Sequence, residues 1–427
     1  MDHRYTGVVT RTLRDEERRV PTSEAQTPLV IEPLQARDAT FLQEFLESHS
    51  SELMEDIATH GAVLLRGFDV TSPADFERQV LSIRGMHGMN EVLMSEEGRT
   101  VVDGTRFVLY TNANFKTGGT LEIPVFHNEN YYVPDVPRFI SFFCQTPSWL
   151  GGETGLVNTA QLYADLPAAL QAKLEERAFA VREYRVADVV ECYGFSAAEI
   201  QDFCARVGIE TTTRDGQQYL VIYKPSVIEH PTTHERALVL HISGELNRVG
   251  LQTAATEAFA ADYAGLPWAV HKFHWRFPSV IWNAKLAGGL ITKPRTSWPL
   301  LMFKFVKLSR KLRLAKPRPP AAQAGPRVGD LFDPQEIQLV ARAMRRRYSS
   351  FTWQRGDVLM IDNLKMAHAG MPGFGPRNLK ALICNCVPLP CGRESSGLHA
   401  PRPDDVRESL GSQLVAYREH TPAAVVA

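Results

Sequence analysis

The chain has 427 residues, of which 47 are Lys or Arg and 48 are Asp or Glu, so its formal net charge is −1. This near-neutral balance argues against a nucleic-acid-binding protein, because such proteins usually carry a strong basic excess. Hydrophobic residues make up 44% and charged residues 22% of the sequence, which is typical of a folded globular protein and excludes a disordered chain.

Neither a membrane span nor a secretion signal is predicted. No apolar run reaches the roughly 18 residues that a membrane helix needs, and residues 1–21 are charged, unlike a signal peptide. The six cysteines form no CxxC pair, and Cys384 and Cys386 alternate within an apolar run, which favours buried thiols over a metal site. We therefore expect a cytoplasmic protein without a membrane or nucleic-acid partner, and its oligomeric state stays open.

Hydrophobic periodicity predicts a mixture of helices and strands. In chain order, we expect one or two helices over residues 38–59, strands at 61–68, 106–110 and 138–144, helices at 160–176 and 197–207, strands at 219–222 and 237–242, a helix at 334–347, and strands at 357–361 and 380–387. Because the strands do not alternate regularly with helices, the pattern argues against a doubly wound parallel sheet. It favours an all-β or α+β core with helices packed outside it.

Composition separates a core region from less typical segments. We expect a flexible N-terminal arm over residues 1–26, a single domain over 27–400 with an insertion around 268–330, and a C-terminal tail over 401–427. Residues 303–320 hold seven Lys or Arg and no acidic residue. Such a run is typical of a solvated surface, and the alternative is a docking surface for an acidic partner such as a carrier protein.

Two histidines occur in patterns that suit a metal site. In an extended strand, residues two apart project to the same face, so His127 and Glu129 would project together. An imidazole and a carboxylate are two of the three ligands of the two-His-one-carboxylate site that holds non-haem iron. His368 follows an apolar strand and an Asp-Asn turn far downstream, so only the fold can bring it to His127. Taken singly, these patterns favour a chance His-x-Glu pair and a capping histidine at a strand end over metal ligands.

Four segments, in order, resemble sequence blocks of one enzyme family. They are residues 121–132 (LEIPVFHNENYY), residues 137–154 (PRFISFFCQTP, followed by GGET), residues 224–235 (KPSVIEHPTTHE) and residues 353–377 (from WQRGDVLMIDN to GPR). These blocks are similar to those of the TauD/TfdA family, the taurine dioxygenase-like and clavaminate synthase-like branch of the Fe(II)/2-oxoglutarate-dependent oxygenases. The resemblance covers nearly the whole chain, from about residue 41 to residue 388.

The resemblance implies a fold and a metal. It implies a mainly β protein with flanking helices and a double-stranded β-helix (jelly-roll) core. It also implies that His127, Glu129 and His368 bind Fe(II). In the related halogenases a small residue replaces the carboxylate, so Glu129 implies an oxygenase.

A cosubstrate is implied as well. Family members consume 2-oxoglutarate and O2, release succinate and CO2, and bind the distal carboxylate of 2-oxoglutarate through a threonine and an arginine. Thr154 and Arg377 occupy the matching positions. A guanidinium group suits this role because it binds a carboxylate through two parallel hydrogen bonds. Lys380 is the alternative, acting as a point charge.

The expected reaction is hydroxylation of an unactivated carbon in a small molecule. An amino-acid-derived natural product is one option, free or tethered to a carrier protein, and Tyr110, Asn112 and Asn130 are candidate substrate-binding residues. Desaturation, epoxidation and cyclisation stay open, because they need only a different substrate pose. Two other classes are a zinc-type hydrolase that uses the same three ligands and a non-catalytic jelly-roll binding module.

The sequence departs from the family pattern at three places. Residues 233–235 read Thr-His-Glu where relatives read Thr-Gly-Glu, and Ala369-Gly370 replaces the usual Gly-Arg after the distal histidine. Residues 268–320 bear little likeness to the family. We therefore expect an unusual substrate.

Overall fold

The computed structural model of the protein describes residues 4–20, 25–89, 101–111, 120–121, 123, 126–131, 135–176, 178–193, 195–239, 250–292, 298, 301–302 and 332–393. The strands are β1 (Val8–Arg11), β2 (Leu29–Pro33), β3 (Ala62–Leu65), β4 (Leu109–Tyr110), β5 (Asp135–Thr146), β6 (Leu150–Gly151), β7 (Thr154–Asn158), β8 (Ala178–Arg185), β9 (Glu210–Arg214), β10 (Gln217–Pro225), β11 (Val227–Glu229), β12 (Arg236–Leu238), β13 (Tyr348–Phe351), β14 (Val358–Asp362), β15 (Met366–Gly370), β16 (Gly373–Phe374) and β17 (Asn378–Pro388). The α-helices are α1 (Ala39–Ser48), α2 (Ser50–His60), α3 (Pro73–Ser82), α4 (Thr159–Ala164), α5 (Ala168–Glu175), α6 (Val186–Tyr193), α7 (Ala197–Val207), α8 (Leu251–Phe259), α9 (Ala269–Arg276), α10 (Pro278–Thr292) and α11 (Pro334–Arg346).

The described strands form one large sheet and several small ones. The large sheet has seven strands in the order β1-β2-β3-β14-β5-β17-β4, in which only β2 and β3 pair in parallel. A second, three-stranded antiparallel sheet has the order β13-β7-β15. The remaining sheets are β8-β10-β9, β11-β12 and β16-β6. The protein is thus a mixed helix and strand structure built on large sheets, as an α+β pattern predicts.

Strand β14 shows how the large sheet is buried on both faces. Alternate side chains of a strand project to opposite faces. Met360 packs among the apolar side chains of α1–α3, such as Ile57. Its neighbour Leu359 packs on the other face with Leu156 of β7 and Phe351 of β13. Helices therefore cover one face of the large sheet, and the second sheet covers the other.

Most of the predicted elements are confirmed, with shifted ends. The helices expected at 197–207 and 334–347 form as α7 and α11, and the segment 38–59 forms two helices. The single helix expected at 160–176 is wrong, because α4 ends at Ala164 and α5 begins at Ala168. Pro167 lies between them, where its ring disfavours helical backbone at the preceding residue. The strand expected at 106–110 forms only over its last two residues.

Residues 4–20, which lie in the segment expected to be a flexible arm (1–26), pack against the large sheet in the structure. Strand β1 adds to the edge of the large sheet by pairing with β2. Leu13 and Val20 are buried, so this segment contributes to the core. The physical reason is a charge network that the composition of the segment does not reveal.

The charge network ties residues 11–17 to the far end of the chain. Arg66 is buried with 3% of its side chain exposed, and its guanidinium group contacts Glu17 at 2.7 Å and Asp357 at 2.6 Å. Arg11 also binds Glu17 at 2.7 Å. These hydrogen bonds outweigh the effect of burial and lower the pKa of Glu17 to about 2.

Several expected segments lie outside the described residues. They include the basic run at 303–320, the tail at 401–427 and residues 240–242 of one predicted strand. Of the segment expected to be an insertion around 268–330, the structure describes α9, α10 and three residues beyond them. Among the described residues, no helix is long and apolar enough to span a membrane.

We predict that Arg66→Met lowers the free energy of unfolding by roughly 3–5 kcal/mol, because it leaves the buried Asp357 carboxylate without its cation. The measurement is urea denaturation followed by circular dichroism. Arg78→Met is the matched control, since Arg78 pairs with Asp75 at the surface, and such pairs contribute less than about 1 kcal/mol. Equal losses in the two variants would show that the network does not anchor the N-terminal segment.

The lowered pKa of Glu17 also predicts an acid limit to stability. The folded-state pKa of about 2 lies below the ordinary value of 4.5, so the stabilisation is complete above about pH 4.5 and is lost as pH falls towards about 2. We expect the slope of unfolding free energy against pH in this window to be shallower in Glu17→Gln. The slope should be unchanged in Glu16→Gln, because Glu16 is exposed.

Candidate metal centre

The fold places the two predicted histidines side by side. His127 and His368 exchange both backbone hydrogen bonds, with N···O distances of 3.1 and 2.9 Å. This isolated bridge joins the segment before β5 to strand β15, and it brings the two ring centroids to 4.6 Å. Two residues that are far apart in the sequence therefore form one cross-strand pair.

Glu129 completes the group. Its Oε2 atom lies 3.7 Å from His127 Nε2 and 3.5 Å from His368 Nε2. One donor atom from each side chain lies within 4.8 Å of the others. The Glu129 and His368 side chains are buried, with 4% and 6% exposed, whereas 31% of the His127 side chain is exposed. The group is thus open on one side only.

The donor set fits a divalent iron ion. Two imidazole nitrogens and one carboxylate oxygen form the two-His-one-carboxylate set. Ligands about 2.1 Å from one ion and at right angles to each other would lie about 3.0 Å apart. The two distances from Glu129 Oε2 to the imidazole nitrogens, 3.7 and 3.5 Å, are about 0.5–0.7 Å wider than this, and all donor atoms of the group lie within 4.8 Å of one another.

Asn363 holds the backbone of Glu129 in place. Its Oδ1 atom accepts a hydrogen bond from Glu129 N at 2.6 Å, and its Nδ2 atom donates to Glu129 O at 3.0 Å and to Pro137 O at 2.8 Å. In return, Asn128 Nδ2 donates to Asn363 O at 2.6 Å. All of these groups are buried, so the bonds form without competition from water.

Next to this clamp, a buried histidine and a buried aspartate form a pair. His230 Nε2 lies 3.0 Å from Asp362 Oδ2, and both side chains are inaccessible. His230 Nδ1 accepts from Thr233 N at 3.1 Å, which leaves the proton on Nε2 to be donated to Asp362. Burial by itself raises the pKa of Asp362, but this interaction with His230 holds it below its ordinary value. The block at 224–235 thus supports the turn that carries Asn363.

The structure also explains one departure from the family pattern. His234 stands where relatives have glycine, and it adopts φ +58°, in the left-handed region that favours glycine. Its ring nitrogen Nδ1 contacts Glu229 Oε1 at 3.1 Å. The turn therefore keeps the backbone shape that glycine would permit.

Arg377 and Thr154 lie in contact. The Arg377 guanidinium group donates to Thr154 Oγ1 at 3.2 Å and to Gly152 O at 2.7 Å. Thr154 Oγ1 also accepts from Trp353 Nε1 at 3.1 Å. Burial lowers the pKa of Arg377 to about 10, and the group is still a cation at neutral pH.

This pair lies on the same face of the second sheet as His368. His368 pairs with Leu156, and Gly370 pairs with Thr154, two positions further along the same two strands. Two residues of a strand span about 7 Å. A Cβ atom at Gly370 would lie 3.6 Å from both terminal nitrogens of Arg377. The guanidinium group thus lies beside Gly370, at a distance from the histidines that a five-carbon dicarboxylate could bridge.

A second ion pair lies behind this site. The Glu153 side chain has 2% exposure and pairs with Arg19 of the N-terminal segment, whose Nε donates to Glu153 Oε1 at 2.9 Å. The Arg19 guanidinium carbon also lies 5.0 Å from the Trp268 ring centroid. Burial raises the pKa of Glu153, and Arg19 and Arg377 oppose this rise. Charges of alternating sign therefore follow one another from Arg19 through Glu153 to Arg377.

The other predicted site residues do not all lie together in the structure. The Lys380 ammonium group lies 4.0 Å from the centroid of the Tyr110 ring, on the pair of strands β17 and β4. Tyr110 is 38% exposed. Asn130 is buried with φ +51°, a backbone conformation that asparagine tolerates in turns. Asn112 lies outside the described residues.

Sequence reasoning missed three supporting residues: Asn363, Trp353 and Arg19. Asn363 and Trp353 occur inside the segment that resembles the family, but their roles depend on hydrogen-bond partners far away in the chain. Arg19 lies in a segment whose mixed charge suggested an arm. A pattern in the sequence could not show which cation reaches the buried Glu153.

Comparisons with known proteins identify a family that the chain matches. A family model described as "Taurine catabolism dioxygenase TauD, TfdA family" matches residues 27–278. Among solved structures, the chain is similar to PvcB, an Fe, alpha-ketoglutarate dependent oxygenase from an isonitrile synthetic pathway, with 14% identity and a TM-score of 0.46 over 92% of this chain and 96% of that one. The PvcB protein from Pseudomonas aeruginosa is 15% identical, with a TM-score of 0.44 over 90% and 93% of the two chains. A taurine dioxygenase from Burkholderia xenovorans is 14% identical, with a TM-score of 0.44 over 94% and 95%. No curated protein matches the chain.

We predict that Asn363→Ala weakens binding of Mn(II), used as a redox-stable probe, by about 10–100-fold, because outer residues that orient ligands have effects of this size. The measurement is calorimetric titration. Asn385→Ala is the matched control, since Asn385 is also buried but binds the backbone of residues 85–87. Similar affinities in the two variants would contradict the clamp.

Proposed function

This chain belongs to the TauD/TfdA family of dioxygenases, and from that premise we propose that it is an Fe(II)- and 2-oxoglutarate-dependent dioxygenase that hydroxylates an unactivated carbon of a small molecule. The observation that carries the proposal is the convergence of His127, Glu129 and His368 on one point. Three ligands on one side of an ion leave its other positions for a cosubstrate and dioxygen.

In this proposal, Thr154 and Arg377 hold the distal carboxylate of 2-oxoglutarate. The buried guanidinium group supplies a cation in a region of low polarity, where its attraction for a carboxylate is strong. Its hydrogen bonds to Gly152 O and Thr154 Oγ1 fix its orientation before the cosubstrate arrives. The contacts of Arg377 favour it over Lys380, whose ammonium group faces the Tyr110 ring.

When bound, iron and 2-oxoglutarate would let dioxygen, the oxidant, hydroxylate a C–H bond: 2-oxoglutarate would supply two electrons as it is converted to succinate and CO2, and the two oxygen atoms would end in succinate and in the product. The residues of the chain orient these groups and exclude water. Phe142 stacks edge-on against His368 at 5.2 Å between ring centroids. Phe126, just before the first ligand, is fully buried. The exposed edge of His127 leaves one open approach, from which a substrate would enter.

The proposed substrate is a small molecule, with an amino-acid-derived natural product as the working choice. Tyr110 and Asn130 are the described residues that we keep as candidate contacts, and Asn112 stays a third. Tethering to a carrier protein stays part of the hypothesis. The departures at His234 and Gly370 give no reason to transfer taurine or another known substrate to this chain.

We also propose a jelly-roll core within a single domain, for which the sequence pattern predicts residues 27–400. Side chains of β14 in the large sheet pack against the second sheet, and this face-to-face packing supports a jelly-roll. The His127–His368 bridge near the second sheet supports it as well. Because Arg66 and Arg19 connect the N-terminal segment to this core, we propose that the domain begins before residue 27. The boundary at residue 400 and the tail beyond it stay predictions.

The rival classes lack an explanation for the second half of the site. A zinc-type hydrolase would use the three ligands and a bound water, but it would need no buried Arg377 beside Thr154. A non-catalytic binding module would need neither group. The joint presence of the three ligands and of the Arg377 cation, which lies beside Thr154 and Gly370 two positions along from His368, therefore favours the oxygenase.

The test is an anaerobic titration of Fe(II) and then 2-oxoglutarate, followed through the weak visible charge-transfer band of the chelate. We expect the band in the wild type and none in His127→Ala. In Arg377→Ala the 2-oxoglutarate concentration for half-saturation should rise by about tenfold or more, because a charge-assisted pair is lost.

Arg377→Lys and Lys380→Met are the controls for this titration. Arg377→Lys should recover part of the affinity, since it keeps the charge but not the fork of donors. Lys380→Met should leave the affinity close to that of the wild type. The absence of a band in the wild type, together with tight binding of zinc, would reject the oxygenase and favour the hydrolase.

A further inference from the structure

Large apolar side chains are exposed along α9 and the start of α10. Fifteen such side chains are exposed among the described residues. Eight of them fall between residues 266 and 302: Leu266, Val270, Phe273, Phe277, Val280, Ile291, Trp298 and Met302. Isolated exposed apolar groups are normal on a protein surface, but a concentration of them marks an interaction surface.

Four of these side chains form a continuous ridge. Val270, Phe273, Phe277 and Val280 follow a spacing of three or four residues, which places them on one side of a helix. The rings of Phe273 and Phe277 touch, with centroids 5.2 Å apart. Backbone hydrogen bonds from Phe277 to Phe273 and from Val280 to Phe277 carry the ridge across the junction of α9 and α10. We call these four residues the apolar ridge.

The opposite side of α9 is occupied by the protein itself. His271 is fully buried, and its Nδ1 atom lies 3.2 Å from Leu121 O. Trp275 Nε1 donates to the same oxygen at 2.8 Å. The apolar residues of the ridge are therefore not the side of the helix that packs on the fold, and their exposure needs another explanation.

The charged residues in the segment that carries the ridge all have the same sign. Lys272 and Arg276 are exposed beside it, and the Arg276 guanidinium carbon lies 5.7 Å from the Phe277 ring centroid. From residue 263 to residue 329 the sequence contains 13 Lys or Arg and no Asp or Glu. The rest of the chain has 34 basic and 48 acidic residues, a net charge of −14. Within this near-neutral protein, the part of the chain that carries the ridge thus has a net positive charge, and the rest has a net negative charge.

We propose that the apolar ridge, with Lys272 and Arg276, binds the surface of an anionic lipid bilayer. Aromatic and aliphatic side chains enter the boundary between head groups and acyl chains, while Lys and Arg contact the anionic head groups. This combination favours a membrane over an acidic protein, because a carrier protein selected by charge alone gives no role to Phe273 and Phe277. It also disfavours a second copy of the same surface, because two surfaces of like charge repel each other.

This proposal departs from the expectation of no membrane partner, which rested on the lack of a predicted membrane span and secretion signal, because surface binding of this kind needs no membrane-spanning helix. The ridge lies on the opposite side of α9 from Leu121, which belongs to the segment that leads to the first metal ligand. About one helix diameter, roughly 10 Å, separates the ridge from Leu121 on the other side of α9, and Leu121 precedes His127 by six positions.

The test is sedimentation of the full chain with sucrose-loaded vesicles. We expect binding to vesicles of equal parts phosphatidylglycerol and phosphatidylcholine, little binding to phosphatidylcholine alone, and weaker binding as salt rises. Phe273→Ser with Phe277→Ser, and separately Lys272→Glu with Arg276→Glu, should each reduce the partition coefficient by about tenfold or more.

Matched controls separate the ridge from general surface effects. Leu34→Ser with Leu339→Ser removes two exposed apolar side chains elsewhere, and Arg84→Glu with Arg342→Glu reverses two exposed charges elsewhere. Both should bind mixed vesicles within about twofold of the wild type, because they lie off the ridge. Unchanged thermal melting of all four variants would establish that they fold.

Three results would overturn the proposal. The first is failure of the wild type to sediment with mixed vesicles. The second is equal loss in the ridge and control variants. The third is that the wild type does not bind vesicles but binds a purified acidic carrier protein or forms a concentration-dependent dimer. In that case the ridge variants would abolish the interaction with the carrier protein or the dimer. Vesicle binding needs no turnover, so these results are independent of the oxygenase titration.

Discussion

Holding one buried carboxylate between two imidazoles is the constraint on which the rest of this structure depends. Glu129 has 4% of its side chain exposed and contacts histidines that come from distant parts of the chain. The backbone bridge between His127 and His368 sets the spacing of the rings. Asn363 then fixes the backbone of Glu129 from the turn that follows strand β14 of the large sheet. Hydrogen bonds thus hold the backbone of each ligand in place. A ligand on a backbone held in this way has less freedom to move than a side chain on the surface.

The second half of the site is built on buried charge. Arg377, Glu153 and Arg19 follow one another with alternating sign. An isolated buried charge is costly, and each member of the series reduces the cost of its neighbour. A dicarboxylate at Arg377 would extend the same alternation by one more charge. The N-terminal segment therefore contributes to the cosubstrate side of the site, although it lies at the opposite end of the sequence from Arg377.

The distribution of charge along the chain also depends on which basic side chains have acidic partners. The acidic residues that pair with Arg11, Arg66 and Arg19 are drawn from the N-terminal segment and the core. The segment from residue 263 to residue 329 has no acidic residues to offer. Its basic side chains cannot be neutralised by near neighbours in the sequence, and its apolar side chains on α9 face away from the core. Attraction to an external anionic surface follows from these two facts together.

The sequence by itself determined the family, the order of most helices and strands, and the three candidate metal ligands, because each of these is encoded by local patterns. The spacing of His127 and Glu129, the helix-forming residues of α7 and the apolar run of β14 are all local. Only the tertiary structure decided that Asn363, Trp353 and Arg19 support the site. It also decided that Arg377 faces Thr154 while Lys380 faces Tyr110. The division of one expected helix at Pro167 and the packing of the N-terminal segment into the core were likewise seen only in the structure. Contacts such as Arg66 with Asp357 join residues from opposite ends of the chain. The interaction energy of such contacts depends on burial and on distance in space, and neither quantity can be predicted from the local sequence.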